Sequence, residues 1–158
     1  MDTVIRAAGP EDAPVLSELA LRSKGYWGYN RDFLELCRAE LTLDPAETVP
    51  GRAAVAEAGG RTVGFYALGR QRAEVALAHL FVEPDRIGCG IGRLLWEHAV
   101  AAARAAGSVR VSIDADPFAE PFYRAMGARP AGTVPSGSVP GRMLPLLVYD
   151  IPAAGTPR

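Results

Sequence analysis

Apolar residues recur along the chain with two different periods, and the alternation of these periods defines the predicted elements. Spacing of three and four residues indicates helices, whereas alternation of apolar and polar residues indicates strands. The pattern predicts helices over 9–23, 31–41, 93–106 and 117–127. It predicts strands over 3–8, 52–58, 61–68, 72–84, 109–115, 128–137 and 141–151.

The order of these elements is β-α-α-β-β-β-α-β-α-β-β. Three consecutive strands favour antiparallel pairing, and the strand–helix–strand between Val75 and Ile113 favours one right-handed parallel crossover. We therefore predict an α+β fold with a mixed, mostly antiparallel sheet of six to seven strands, flanked by about four helices. A single domain over 1–158 is expected, in which 151–158 form a loose tail.

The pattern also predicts which side chains share a face of one helix and of one strand. The helix over 93–106 is expected to bury Leu95, Ala99, Ala102 and Ala106. Strict alternation along the strand over 72–84 is expected to place five side chains on one face, namely Val75, Leu77, His79, Phe81 and Glu83.

Composition and charge exclude several classes of function. The net charge is −1 and the isoelectric point is near 6.1, which leaves no basic footprint for nucleic acid. No apolar run approaches the ~18 residues of a membrane span. Only Cys37 and Cys89 are present, without histidine at metal-ligand spacing, so neither a disulfide scaffold nor a metal site is expected. A cytoplasmic protein is the resulting expectation.

The stretch "DRIGCGIGRLLWEHA" combines Gly88, Gly90 and Gly92 with the start of a helix. Helix N-termini carry unpaired N–H groups and partial positive charge, and glycines allow close backbone approach, so the stretch predicts an anion site. Arg86 and Arg93 would add charge. The alternative is a tight turn that needs glycine for steric reasons alone. No Gly-Lys-Ser/Thr follows, and the G-x-G-x-G spacing fits the dinucleotide fingerprint poorly.

Two segments together, "HLFVEPDRIGCGIGRLLWEHA" and "FAEPFYRAMGARP", resemble the acyl-CoA motifs of the GCN5-related N-acetyltransferase (GNAT) superfamily. The resemblance covers about residues 3–151. It implies that the backbone of one strand pairs with the pantetheine arm of acetyl-CoA and that the glycine loop holds the pyrophosphate. The strand residues are Leu80, Phe81 and Val82, and the loop residues are Ile87, Gly88, Cys89, Gly90, Ile91, Gly92 and Arg93.

The chain departs from the family pattern at two positions. Ile87 stands where the family usually has Gln or Arg, and Phe118 stands where it has an Asn that caps a helix. We expect Asp116 to provide part of this capping. Phe118 is expected to contact the cofactor arm.

The resemblance also implies that Tyr123 protonates the leaving thiolate, and a phenol with a pKa near ~10 holds its proton at neutral pH. The alternative is an aromatic side chain that only packs. His79 is the candidate base, with a hydrogen-bonded core histidine as the alternative. Glu83 is a weaker candidate, expected to meet solvent, and His98 is expected to have no chemical role.

The acceptor site is expected between the first two helices, where "KGYWGYN" supplies Tyr26, Trp27 and Tyr29. Trp27 alternatively anchors the helix pair to the sheet. Arg142 is expected to pair with an acceptor carboxylate, or else to be a solvated loop residue. The predicted function is transfer of an acetyl group from acetyl-CoA to a primary amine of a small molecule or peptide. A non-catalytic acyl-CoA-binding module is the alternative, and a homodimer is possible.

Overall fold

The computed structural model describes residues 2–153. This part of the chain contains seven strands: β1 (Thr3–Ala7), β2 (Ala53–Ala58), β3 (Arg61–Leu68), β4 (Glu74–Val82), β5 (Arg110–Asp114), β6 (Arg129–Pro135) and β7 (Met143–Asp150). Four α-helices accompany them: α1 (Ala13–Gly25), α2 (Arg31–Leu41), α3 (Ile91–Ala105) and α4 (Glu120–Ala125). Of the predicted tail, 154–158 lie outside the described residues, and the N–H of Ile151 donates to the carbonyl of Val109 at 2.9 Å.

The seven strands form one sheet in the order β1-β2-β3-β4-β5-β7-β6. Only β4 and β5 pair in parallel, and every other neighbouring pair is antiparallel. The predicted α+β class, element order and parallel crossover are confirmed. β7 pairs with both β5 and β6.

Local chemistry explains where the elements begin and end. Gly59 and Gly60 both have positive φ, which suits the two-residue turn of the β2–β3 hairpin. Asn30 begins α2, because its side-chain oxygen accepts a hydrogen bond from the N–H of Phe33 at 2.9 Å. This hydrogen bond fixes the start of a helix that borders the site.

Two apolar layers cover the sheet. One lies under α3 and contains Tyr66, Leu95 and Trp96, and the other lies under α1 and α2 and contains Leu16, Leu19 and Phe65. The buried stripe of α3 differs from the predicted one, because Ala106 is exposed and Ala102 only half-buried. The observed stripe is Ile91, Leu95, Trp96, Ala99 and Ala103.

A β-bulge interrupts the pairing of β3 with β4. Ala67 lies opposite His79, whereas its neighbour Leu68 lies opposite Leu77. Ala78 is therefore an extra residue on β4. Such an insertion changes the face on which every later side chain lies.

The bulge overturns the prediction that one face of β4 carries all five residues. Val75 and Leu77 belong to the layer under α3. His79 and Phe81 instead lie near the ring of Phe65, in the layer under α1 and α2, with centroid distances of 6.2 and 6.0 Å. The imidazole is thereby placed on the side of the sheet where the α1–α2 connection lies.

β4 and β5 separate soon after they pair. Their parallel register extends only from Glu74 opposite Arg110 to Ala76 opposite Ser112. β5 continues to Asp114 with β7 as its partner. The edge of β4 beyond Ala76 therefore faces a gap in the sheet.

Candidate active site

A cavity of about 290 Å³ occupies the gap between the separated strands. One wall is the second half of β4, Leu77 to Val82, and the opposite wall is the end of β5 with the turn into α4. The glycine loop and α4 close one end. Ser23, Lys24, Trp27 and Glu40 line the other end, below α1 and α2.

The glycine loop before α3 has the geometry of an anion site. Gly88 and Gly90 have φ of +88° and +85°, in the left-handed region, and a Cβ at either position would meet only open space. The first hydrogen bond of α3 runs from the N–H of Leu94 to the carbonyl of Gly90, at 3.2 Å. The N–H groups of residues 91–93 precede this bond, so they are available to an anion.

The third glycine has a steric reason. A Cβ on Gly92 would lie 3.1 Å from Cε1 of Phe122, so α3 and α4 touch at this point. The turn therefore uses two glycines for backbone conformation and one for close packing. Steric and conformational requirements thus account for the three glycines, and the anion site stays a prediction.

The other loop residues divide into buried and exposed positions. Ile91 is buried in the core, so only its backbone faces the loop, and Ile87 lines the cavity. Cys89 is exposed. Arg93 is exposed too, with Nη1 4.0 Å from the carboxylate of Glu97, so its guanidinium remains open to solvent.

Tyr123 is buried against Trp96 and Phe122, whose ring centroids lie 5.9 and 5.1 Å away. Its ring lines the cavity, and within the described residues its hydroxyl makes no hydrogen bond. Burial, with a smaller effect from the charge of Asp116, raises the pKa of this phenol well above its usual value. The group is therefore protonated at neutral pH and has a donor to offer.

His79 is 8% exposed and also lines the cavity. Its Nε2 lies 3.9 Å from a carboxylate oxygen of Glu47, too far for a hydrogen bond, and over residues 2–153 the ring has no hydrogen-bond partner. Burial lowers the pKa of His79, and the charges of Glu47 and Glu40 only partly oppose this effect. The imidazole is neutral at physiological pH, as a proton acceptor must be.

Glu83, the weaker candidate, and His98, expected to have no chemical role, both lie elsewhere. Glu83, expected to meet solvent, is instead buried, and its carboxylate is paired with Arg22 at 2.6 Å. Nδ1 of His98 is 2.7 Å from the hydroxyl of Tyr66, away from the cavity. Neither residue lines the space between β4 and β5.

Asp116 connects three parts of the chain at the cavity wall. Its carboxylate accepts hydrogen bonds from Lys24 Nζ at 2.7 Å, the Tyr29 hydroxyl at 2.9 Å and the N–H of Phe118 at 2.8 Å. Arg142 lies 3.6 Å away. Burial raises the pKa of Asp116, but the hydrogen bonds outweigh it and the pKa is lowered. The expected capping by Asp116 is thus present in the turn before α4.

The aromatic residues of the α1–α2 connection occupy different depths. Trp27 lines the cavity and stacks on Phe118, with centroids 5.4 Å apart and planes 7° apart. Tyr26 is half exposed and meets Trp27 edge-on at 5.0 Å. Tyr29 stacks on Phe33 at 4.1 Å, and burial together with its hydrogen bond to Asp116 raises its pKa to about 12.

Arg142 has partners within the chain. Its Nη2 donates to the hydroxyl of Tyr29 at 2.7 Å, and its guanidinium lies 4.8 Å from the centre of the Phe33 ring. The side chain is 19% exposed, so the alternative of a solvated loop arginine is wrong. Its carboxylate partner in the structure is Asp116, and pairing with an acceptor carboxylate stays a prediction.

Three charged residues near the cavity were not identified from the sequence: Lys24, Glu40 and Glu47. They lie on different segments, so no motif spacing relates them, although Lys24 is the single lysine of the chain. Among residues 2–153, no group of three or more His, Cys, Asp or Glu side chains is arranged to hold a metal ion. No helix in this part of the chain is long and apolar enough to cross a membrane.

Solved structures of similar fold are numerous. The paia N-acetyltransferase of Thermoplasma acidophilum, solved with coenzyme A, is 18% identical with a TM-score of 0.74, over 95% of this chain and 99% of that one. A GCN5-related N-acetyltransferase of Rhodopseudomonas palustris is 23% identical with a TM-score of 0.76, over 95% and 96%. The putative acetyltransferase yncA of Salmonella typhimurium, solved with acetyl-CoA, is 19% identical with a TM-score of 0.69, over 100% and 99%.

Comparison with curated proteins finds no match. A family model, described as the acetyltransferase (GNAT) domain, matches residues 47–134, which is more than half of the chain. The matched region runs from the loop before β2 to β6 and includes β4, the glycine loop and Tyr123. The chain therefore belongs to the GNAT acetyltransferase family.

Proposed function

We propose that the protein transfers an acetyl group from acetyl-CoA to the primary amine of a small molecule, by direct attack while both substrates are bound. One observation carries this proposal. The gap between β4 and β5 connects the N–H groups that begin α3 with Tyr123 and His79, two side chains that make no hydrogen bond to any of residues 2–153. A donor for a thiolate and an acceptor for an amine proton thus line the same cavity.

The residues present fit acetyl-CoA. Leu80, Phe81 and Val82 lie on the part of β4 that has lost β5 as its neighbour, so their backbone can pair with an extended pantetheine arm. The open space at Gly88 and Gly90 admits a pyrophosphate next to the N–H groups that begin α3. Phe118, at the cavity wall, supplies an apolar contact instead of the amide of an asparagine. Acetyl-CoA supplies the activated thioester.

Proton transfers by the chain's own side chains complete the reaction. His79, neutral and facing the cavity, takes the proton that the amine nitrogen loses as the new C–N bond forms. Tyr123 donates its proton to the sulfur as the C–S bond breaks. The bulge at Ala78 leaves a backbone N–H group without a regular cross-strand partner. Such a group is suited to stabilise the negative charge that develops on the thioester carbonyl oxygen.

The α1–α2 connection forms the acceptor end. Trp27 supplies an apolar wall, and Tyr26 supports its ring from the solvent side. Tyr29 and Arg142 act through Asp116, as positioning residues that hold the turn before α4 in place. A cytoplasmic location and a homodimer rest on the sequence alone and stay predictions.

The proposal is tested with two measurements on the intact protein. Calorimetry with acetyl-CoA tests binding, and release of free thiol across a panel of amines tests transfer. Tyr123→Phe should lower kcat by about 10²-fold or more while the Kd for acetyl-CoA is unchanged, because the lost hydroxyl makes no hydrogen bond within the described chain. Tyr66→Phe is the matched control, since this buried tyrosine bonds His98 outside the cavity.

The outcomes separate the hypotheses. Binding without thiol release for any amine would indicate an acyl-CoA-binding module. Absence of any heat with acetyl-CoA would refute the function altogether. Equal turnover by Tyr123→Phe and the unmodified protein would refute the assignment of the acid.

A further inference from the structure

Charged side chains at the acceptor end of the cavity fall into two groups. The cations Lys24 and Arg142 share one carboxylate, that of Asp116, at 2.7 and 3.6 Å. The carboxylates of Glu40 and Glu47 form no ion pair with a lysine or arginine in the described part of the chain. The cluster of Lys24, Arg142 and Asp116 carries a net charge of +1, and the two glutamates without cationic partners bring the net charge of this end to −1.

Glu40 lies where it can contact a ligand that enters the cavity. It lies in the last turn of α2 and lines the cavity, between the apolar walls of Leu41 and Leu144. Its carboxylate contacts Gly137 in the loop between β6 and β7, where no Cβ would fit without displacing it. The exposed carboxylate of Glu40 thus lies between α2 and the β6–β7 loop at the cavity.

His79 provides an independent sign of a polar ligand. The side chain is only 8% exposed, it faces the cavity, and across residues 2–153 its ring nitrogens make no hydrogen bond. Among the described residues no buried side-chain nitrogen or oxygen lacks a partner, so the unpartnered nitrogens of His79 are accessible from the cavity. A ligand N–H at this position would satisfy the imidazole.

We infer that the acceptor is a small primary amine that carries no carboxylate, and that Glu40 binds its ammonium group. The ammonium releases one proton to solvent before the attack, and His79 takes the second proton as the C–N bond forms. This inference rests on the proposed acetyl transfer. A positively charged alkyl or arylalkyl amine complements the open carboxylates, and the apolar walls accept its carbon chain. Glu40 is therefore a specificity-determining residue.

An amino acid fits the same surface less well. Its carboxylate would lie beside Glu40 and Glu47, and like charges at short range repel each other. Lys24 is already bound by Asp116 through a hydrogen bond at 2.7 Å, and the Arg142 guanidinium, 3.6 Å from Asp116, donates to the hydroxyl of Tyr29. Removal of the carboxylate from the acceptor should therefore improve it as a substrate.

Matched pairs of acceptors test the inference. Each pair differs by one carboxylate: 2-phenylethylamine with phenylalanine, 3-methylbutylamine with leucine, and 1,4-diaminobutane with ornithine. We expect kcat/KM to be at least about tenfold higher for the amine in every pair that reacts. Higher values for the amino acids would overturn the inference, as would binding of acetyl-CoA without reaction of any of the six compounds.

Variants on α2 and on the facing loop locate the effect. Glu40→Gln should raise KM for the amines about tenfold, equivalent to about 1.4 kcal/mol, with a smaller change in kcat, and should narrow the preference within each pair. Gly137→Ala should raise KM in the same direction without a change in charge, because its methyl group displaces the carboxylate. Glu35→Gln removes an exposed charge from the same helix and should match the unmodified protein.

The readouts distinguish this inference from the proposed function. Acetyl-CoA affinity, measured by calorimetry, should be equal in all three variants. Loss of acetyl-CoA binding by the unmodified protein would refute the proposed function. If Glu40→Gln turns over and keeps the same ratio of kcat/KM between amine and amino acid in each pair, the role of Glu40 is refuted but the proposed function is not.

Discussion

Asp116→Ala is expected to be the most destabilising single change at the site. The substitution removes the carboxylate that accepts hydrogen bonds from Lys24, Tyr29 and the N–H of Phe118. Lys24 and Asp116 are each only 12% exposed, so the ammonium left behind has little access to water. An uncompensated charge in this position is costly.

The expected loss follows from the separate contacts of Asp116. A lost cap at the turn before α4 costs about 1 kcal/mol. An ammonium left without its partner at a largely buried site costs about 3 kcal/mol. The sum of about 4 kcal/mol is a large fraction of the ~5–15 kcal/mol that stabilises a typical domain. Asp116→Asn keeps an oxygen for the N–H of Phe118, so its loss should be smaller.

Urea unfolding at neutral pH, followed by circular dichroism, measures the change in the free energy of unfolding. Asp150→Ala is the matched control, because Asp150 also has two arginine partners, Arg110 and Arg129, but is exposed. The urea midpoint of Asp150→Ala should scarcely change, since exposed ion pairs contribute little to the free energy of unfolding. A loss below about 1 kcal/mol for Asp116→Ala would refute the reasoning from burial.

The pH dependence of stability gives an independent check. The folded-state pKa of Asp116 is below its usual value of 3.8, because hydrogen bonds from Lys24, Phe118 N–H and Tyr29 outweigh burial. Its contribution is therefore fully present above pH ~4 and is lost as the pH falls through the lowered pKa. The difference between Asp116→Ala and the unmodified protein should shrink in the same acidic range.

Three further predictions concern the loop and the base. Gly90→Ala and Gly60→Ala each place a Cβ at positive φ and should each cost about 1–2 kcal/mol in urea unfolding, but only Gly90→Ala should weaken acetyl-CoA binding in calorimetry. Glu47→Gln removes a charge that raises the pKa of His79, so the acid limb of the pH–kcat profile should move to lower pH; an unmoved limb would contradict His79 as the base. Exposed Cys89 should be alkylated by iodoacetamide, and acetyl-CoA should slow the reaction in a mass-spectrometric time course; equal rates would argue against a cofactor over the loop.

Most of the fold was predictable because the strands alternate clearly and glycines mark their ends. The hairpin of β2 and β3 is an example, since Gly59 and Gly60 specify its turn. The prediction of which α3 residues are buried was less accurate. The segment "AVAAARAA" offers alanine on every side, so the sequence gives no contrast between Ala102 and Ala103.

The site was predictable only where neighbours in sequence act together. The glycine loop and Tyr123 occur in continuous motifs. Lys24, Glu40 and Glu47 come near the cavity through tertiary structure, and the spacing of their positions carries no signal. The bulge in β4 could not be predicted from the sequence either. Leu77 precedes it and Leu80 follows it, and both are apolar, so the hydrophobic pattern does not mark the extra residue.

The extra residue at Ala78 divides β4 into two parts, in which odd-numbered side chains lie on opposite faces of the sheet. Before it, odd-numbered side chains lie beneath α3, and after it they point to the opposite layer. Deletion of this one alanine would leave an unbroken period of two along the strand, with the imidazole still on its present face. A regular strand that kept Ala78 would instead turn the imidazole towards α3, so the face of His79 depends on the backbone at the bulge as well as on residue types.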